Sequence, residues 1–393
     1  MSKRVDMNTT TMIGTLALLL SATFAVSAEG GAGQQPIFEK KPLFEKVRIP
    51  KVTVATDGTV LCFAKGCGLY RYSSDGGNTW SNAEKLETEG GNAIVDQGNG
   101  DIMIVCPKNG FLLRSKDHGR SWKKEDIVIK PNDAGHGPAD SIGASVNCSE
   151  SGITLKFGKH KGRLLMPARI QPPRDSNAQE YWPFNYNTAI YSDDGGKTWQ
   201  TSYPVQSGTG EGTLAELSDG RIYYNSRCHM AVDHRRRLAW SHDGGHMWVD
   251  WQVSEDLFEV GQPFYFKYGS KPSYGCNAGL VRMPDEATGG KDVLLFSTLD
   301  NPGGHRVKIT VWASFDGANT WPVKRVVYEG PSAYSSLAAG KNGMIFILFE
   351  NGEKGLYERI SLARFNMEWL SRRQDWQRLL KDLDPHTPPR AAR

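Results

Sequence analysis

"SSDGGNTW", residues 73–80, decides the fold because its pattern returns four more times along the chain. Ser73, Asp75, Gly77 and Trp80 reappear as Ser115, Asp117, Gly119 and Trp122, then as Ser192, Asp194, Gly196 and Trp199. Further copies are Ser241, Asp243, Gly245 and Trp248, and Ser314, Asp316, Ala318 and Trp321. Short Ser and Asp side chains accept hydrogen bonds from turn N–H groups, glycine supplies positive φ, and Trp folds back over the hairpin. Ala318 in the glycine position implies local strain. A catalytic acid used five times around one molecule would be strange chemistry, so the octet is a fold part. The aspartates are 42, 77, 49 and 73 residues apart. The short gaps suit one four-stranded unit of about 40–50 residues, the period of a β-propeller blade, and the long gaps suit two units with one octet lost.

Outward from the octets, the stretches "TVLCFA", "DIMIVC", "GRLLMPA", "GRIYYNS", "DVLLFST" and "MIFILFE" are apolar, β-rich and bounded by turn residues. With 43 Gly, 20 Pro and 11 Trp, the chain reads as all-β, a six-bladed β-propeller spanning residues 44–366. Residues 29–43 read as a linker. Residues 367–393 read as a short C-terminal helix and tail, with Trp369, Trp376, Leu380 and Leu383 at one-face spacing.

Lys3 and Arg4 precede an apolar run from Ile13 to Val26, and "VSA" at 26–28 suits cleavage, so residues 1–28 read as a signal peptide. Export, secreted or periplasmic, is the expectation, with no membrane span in the mature chain. The net charge of +4 and the absence of a basic, aromatic-interleaved stripe argue against nucleic acid. The triplet Arg235–Arg237 reads as a solvated loop. Six cysteines without C-x-x-C spacing imply no zinc site, and some should be buried free thiols. No metal or organic cofactor is implied: "GTGEG" at 208–212 precedes a strand-like segment, not a helix.

The octets resemble the Asp boxes of the sialidase (neuraminidase) superfamily, and other segments extend the resemblance over nearly the whole mature chain. "VRIP" at 47–50 is similar to the family's opening motif, whose arginine, here Arg48, grips the substrate carboxylate. "GEGTLAELSDGRIYYNSR" at 210–227 resembles the segment carrying a catalytic glutamate and second arginine, here Glu211 and Arg227. "HRVKITVWASFDGANTWP" at 305–322 implies Arg306 as the third arginine, and "YEGPSAYSSL" at 328–337 implies Tyr334 as nucleophile. "FE" at 349–350 implies Glu350 as the glutamate that holds the first arginine.

The chemistry explains the set. A sialic acid carries its carboxylate on the anomeric carbon, and three arginines bind it with charge-assisted, partly bidentate bonds. A carboxylate nucleophile would be repelled by that group, whereas a tyrosine hydroxyl stays neutral until a glutamate takes its proton. Sialidases are the known tyrosine exception among glycosidases. Glu216 rivals Glu211 on the same strand. The family's general-acid aspartate has no counterpart in "KVTVATDGTVLCFAKGCGLYRY" at 51–72, where Asp57 sits in a hairpin-like turn. Asp133, His136 and Asp140 in the loop "PNDAGHGPADSIG" are candidates for the acid, and "QEYWPFNYN" at 179–187 could wall the pocket. The resemblance implies an exo-α-sialidase-like hydrolase acting on sialylated or other acidic glycans. A lectin-like acidic-sugar binder and an enzyme of other acidic polysaccharides stay open.

Overall fold

The computed structural model describes residues 34–88, 90–132, 145, 146, 148–171, 185–230, 233–261, 264, 265, 272–372 and 374–380. Its elements are almost all strands, and the anticipated apolar stretches form them. "VLCFA" is the strand Val60–Ala64, and all seven residues of Ile345–Asn351 are buried. Lys51–Val54 pairs antiparallel with Val60–Ala64, which pairs with Leu69–Ser73 and then Glu84–Lys85. The same four-strand meander recurs through Asn92–Val95, Ile102–Cys106, Phe111–Ser115 and Lys123–Asp126. It recurs again through Thr209–Glu216, Ile222–Cys228, Arg235–Ser241 and Val249–Phe258.

The 17-residue strand Val323–Ala339 serves two neighbouring meanders. Its first half pairs with Val307–Ser314 and its second with Ile345–Asn351, the second ladder carrying a register shift between Ser332 and Ser335. The first strands of successive meanders touch in a closed cycle: 51–54, 92–95, 153–154, 209–216, 279–282, 323–339 and back to 51–54. Meanders packed through their first strands in a ring are a propeller-like arrangement, which removes long exposed sheet edges.

The ring closes through a strand the sequence reading assigned partly to a linker. Phe38–Glu45 pairs antiparallel with Arg359–Phe365, so ordered structure starts before residue 44. The C-terminal reading also needs correction. A single turn of α-helix, Met367–Leu370, ends where Arg372 takes φ 54°, and a separate 3-10 turn covers Trp376–Leu379. Trp369 stacks on Phe38 and Trp376 on Phe315, so the tryptophans are buried by two short turns rather than by one helical face.

The octets are turn locks. In the first, Ser73 Oγ donates to Asp75 Oδ1 (2.7 Å) and accepts from Gly77 N (2.8 Å). Asp75 Oδ1 also accepts the amides of Asn78 (3.0 Å) and Thr79 (2.9 Å), and Trp80 Nε1 donates to Gly77 O (3.1 Å). The Ser–Asp pair and the Ser-accepted amide recur in all five copies, and Ala318 takes φ 70° as the pattern required. Trp199 and Trp248 are completely or almost completely buried; each such side chain removed from water stabilises by about 2–3 kcal/mol.

Two further readings are settled by burial. All six cysteines are buried free thiols. Arg235–Arg237 is no solvated loop but part of a strand; Arg236 is fully buried, with Nη1 2.8 Å from Glu259 Oε1 and Nε 2.7 Å from Asn225 Oδ1. A guanidinium tolerates that position because each of these acceptors offsets desolvation. Residues 1–33 and 381–393 lie outside the described residues, and with them the signal-peptide reading and the tail.

Candidate active site

Arg48, Glu211, Arg227, Arg306, Tyr334 and Glu350 meet around one side chain, Tyr334. Its hydroxyl donates to Glu211 Oε1 at 2.7 Å and lies 3.2 Å from Arg227 Nη1. Arg48 and Arg306 place their guanidinium carbons 5.2 and 5.9 Å from the tyrosine ring centre. Tyr334 stands in the register shift of its long strand, where the ladder is interrupted and the backbone is free to aim the side chain.

Glu211 is placed by a second irregularity, between Thr209 and Gly212. The flanking glycines are there for space. A Cβ on Gly210 would fall 1.9 Å from His229 Nε2, and one on Gly212 would fall 2.2 Å from the Tyr224 hydroxyl. "GTGEG" is therefore a packing motif around an inward glutamate. Arg227 Nη1 donates to Glu211 Oε2 at 2.5 Å, and its Nε donates to Tyr274 O at 2.7 Å. Burial by itself would push the Glu211 carboxyl up. The Arg227 guanidinium, aided by Arg169 and the tyrosine hydroxyl, reverses this and holds it well below the usual carboxylate range. Burial, then the Glu211 charge, pushes the Tyr334 phenol well above its ordinary value despite Arg227 and Arg306. The resting pair is thus carboxylate and neutral phenol, joined by one short hydrogen bond.

Glu350, fully buried, ties the segment just before Lys51–Val54 to the strand that carries Tyr334. Oε1 accepts from Ile49 N (2.9 Å) and Arg48 Nε (3.2 Å); Oε2 accepts from Tyr334 N (3.1 Å) and Arg48 Nη2 (3.4 Å). Ile49 takes φ 68°, a strained conformation for a β-branched residue, and the carboxylate bond to its amide is what holds it. Arg48 remains 40% exposed and marks the mouth, while Arg306 is buried, donating to Gly275 O (2.8 Å) and Tyr357 Oη (3.2 Å).

Glu216 belongs elsewhere. Its carboxylate accepts the amides of Lys156 (2.5 Å) and Phe157 (3.1 Å), and burial raises it to about 7. It lines a cavity of about 200 Å³ with Glu150, Lys156, Arg282 and Lys341, which contains none of the six converging residues. Asp57 is a turn cap, accepting from the Thr59 amide (2.8 Å) and hydroxyl (2.9 Å). The hairpin that follows Ala64 turns tightly through Lys65 (φ 55°), Gly66 and Cys67 (φ 67°), with no acidic residue in it. Asp133, His136, Asp140 and residues 179–184 lie outside the described residues.

The structure adds residues that sequence reasoning missed. Tyr357 lies between two arginines, its ring 3.9 Å from the Arg48 guanidinium carbon and its hydroxyl accepting from Arg306. Arg169 stands 3.7 Å from Glu211 Oε1. Neither sits in a recognisable motif; "GEKGLYERI" reads as a glycine-containing loop and "MPARIQ" as strand. Among the described residues no His, Cys, Asp and Glu cluster could hold a metal ion.

Comparison with known proteins identifies the family. Residues 106–347 match the BNR repeat-like domain family, to which the chain belongs. It is 29% identical to a sialidase from Micromonospora viridifaciens over 86% of this chain and 55% of that protein. It is 26% identical to a sialidase from Paraclostridium sordellii over 60% of this chain and 63% of that protein. The chain thus spans little more than half the length of these relatives. Among solved structures, the Hadza microbial sialidase Hz136 superposes with TM-score 0.62 at 21% identity, over 83% of this chain and 66% of that one. An intramolecular trans-sialidase from Ruminococcus gnavus gives TM-score 0.62 at 14% identity, over 83% and 95%. The sialidase superfamily assignment stands on the family match and these relatives together.

Proposed function

We propose that the protein is an exo-α-sialidase-type glycoside hydrolase that releases a terminal nonulosonic acid with retention of configuration. The observation that carries this is the 2.7 Å hydrogen bond from the Tyr334 hydroxyl to a buried, ionised Glu211, ringed by three arginines. Arg48, Arg227 and Arg306 bind the substrate carboxylate; Tyr334 attacks the anomeric carbon while Glu211 accepts its proton; Glu350 fixes Arg48 and the Tyr334 backbone. The closed cycle of inner strands supports a count of six blades. The substrate class is sialylated or related acidic glycans, and the sialidase relatives support it. Export follows from the N-terminal apolar run, and retention in the cytoplasm on deleting residues 1–28 tests it.

The aglycone proton is assigned to Asp133, His136 or Asp140. An aryl sialoside, whose phenol-like leaving group needs little protonation, separates the readings. Cleavage of both aryl and natural sialosides supports a complete enzyme. Sialic acid binding without cleavage of either supports the lectin-like alternative.

The decisive experiment is Tyr334→Phe. Shape and burial are retained, so folding stays near that of the parent while turnover falls by several orders of magnitude. A fluorinated sialosyl fluoride should label Tyr334 in the parent, read by peptide mass mapping. Full activity in Tyr334→Phe, or a label on another residue, removes this mechanism.

A further inference from the structure

The proton-accepting oxygen of Glu211 has a second cationic neighbour. Arg169 comes from the strand Leu164–Ile170, which supplies none of the six converging residues. Its Nη1 stands 3.7 Å from Glu211 Oε1, the oxygen that accepts the tyrosine hydroxyl, whereas Arg227 binds Oε2. Both side chains are largely buried, at 12% and 4% exposure. Among the described residues, the other titratable groups facing Glu211 are Arg227 and His229 from one meander, Tyr334 from the long strand, and the thiols Cys148 and Cys276. Burial, reinforced by Arg227, keeps His229 neutral, and burial keeps both thiols protonated. Among the described residues, the charges acting most strongly on the carboxylate are therefore the two guanidinium groups.

Their positions give them different effects. Arg227 spans the pair, bonding the carboxylate and lying 3.2 Å from the phenol oxygen. It favours charge on either member. Arg169 faces the Glu211 oxygen that gains the proton, so it favours carboxylate over carboxylic acid there. Such a charge resists the proton's arrival and promotes its departure.

We propose that Arg169 is a positioning residue that returns the proton from Glu211 Oε1 to Tyr334 in the second half of the reaction. The assignment rests on the reading of Tyr334 and Glu211 as nucleophile and base. In the first half the Tyr334 Oη–anomeric carbon bond forms, the glycosidic C–O bond breaks with its electron pair on the aglycone oxygen, and the phenolic proton passes to Oε1. The aglycone oxygen takes a proton from its donor. In the second half a water oxygen bonds the anomeric carbon and releases its proton to solvent, from which the aglycone's proton donor is restored. The electron pair of the Oη–carbon bond returns to the phenol oxygen, which recovers its proton from Oε1.

The test separates the halves. Adduct formation with a fluorinated sialosyl fluoride and subsequent reactivation are timed separately in the full chain, for the parent, Arg169→Met and Arg169→Lys. Arg169→Met should reactivate about tenfold more slowly without slower adduct formation, because only the return of the proton loses its driving charge. Arg169→Lys, which keeps the charge, should match the parent closely in both. Unchanged reactivation in Arg169→Met, equal slowing of both steps, or failure of lysine to rescue overturns the assignment. A readout without turnover is the carbon-13 carboxyl titration of Glu211, whose midpoint should rise in Arg169→Met; an unmoved midpoint also overturns it. If the parent forms no Tyr334 adduct, the nucleophile reading itself fails. That outcome is distinct from normal labelling with variants that behave alike.

Discussion

Glu350→Gln tests the link between fold and site most directly. The carboxylate accepts four hydrogen bonds, two on each oxygen, from Arg48, Ile49 and Tyr334. A glutamine can leave only one acceptor oxygen there, and its NH2 must face two donors. Losing charge-assisted bonds and burying mismatched donors costs about 1–3 kcal/mol per affected group, so about 3–5 kcal/mol before relaxation. Two features reduce this. Arg48 is 40% exposed and can be rehydrated, and Ile49, released from φ 68°, recovers part of about 1–3 kcal/mol of backbone strain. A net loss of about 2–3 kcal/mol follows, a large part of the ordinary stability of a folded domain. Urea unfolding followed by Trp fluorescence measures it. Activity of the folded fraction should also fall, with KM for the sialoside raised, because Arg48 and the Tyr334 backbone lose the same anchor. A loss below about 0.5 kcal/mol with KM unchanged would refute the clamp.

Asp194→Ala removes bonds to Ser192 Oγ, Lys197 N and Thr198 N; stability should drop by about 1–3 kcal/mol with the folded fraction still active. A normally folded but inactive variant would contradict the structural role of the octets. If Tyr334 and Glu211 act in one proton transfer as proposed, Glu211→Gln and Tyr334→Phe should each abolish most turnover, and the double variant should be far less than additive; additive losses would separate their roles. Glu216, raised to about 7, makes stability pH-dependent. The unfolded chain releases this proton near the ordinary glutamate value, the folded one only near 7, so the contribution is full below about 4.3 and is lost as pH rises through 7. The Lys156 and Phe157 amides still solvate the ionised carboxylate, so the loss is about 1–2 kcal/mol, and denaturation at pH 5 and 8 should show a shallower slope in Glu216→Gln. An equal slope in both proteins would exclude Glu216 as the source.

The turns and most strands were legible in the sequence because their causes are local. An octet closes its bonds within four residues, and an inner strand shows itself by an apolar run between turn residues. The six converging residues were legible for another reason: each sits in a short motif, in the family's order. Their geometry was not legible. Arg48 meets Glu350 across 302 positions and Tyr334 meets Glu211 across 123, contacts that exist only once the ring closes.

Where residues lay outside motifs, local pattern misled or was silent. Arg236 looked like part of a solvated basic run, yet a carboxylate from Glu259 makes its burial tolerable. Trp369 and Trp376 kept helical spacing, but their partners, Phe38 on the strand Phe38–Glu45 and Phe315 just past the strand Val307–Ser314, draw them into separate turns. Phe38–Glu45 carries "FEKKPLFE", too polar to announce a strand, and becomes one because the edge of Arg359–Phe365 needs backbone partners. Glu211 and Glu216 share one strand and one composition; only the backbone irregularity at 209–212 and the Lys156 and Phe157 amides send them to different environments. The sequence alone therefore determined the repeating turn, the strand-rich class and the motif residues, all set by neighbours along the chain. Tertiary structure alone decided that Tyr357 joins Arg48 to Arg306 and that Arg169 reaches Glu211, because a contact between segments far apart in sequence depends on closure and register, which no local pattern encodes.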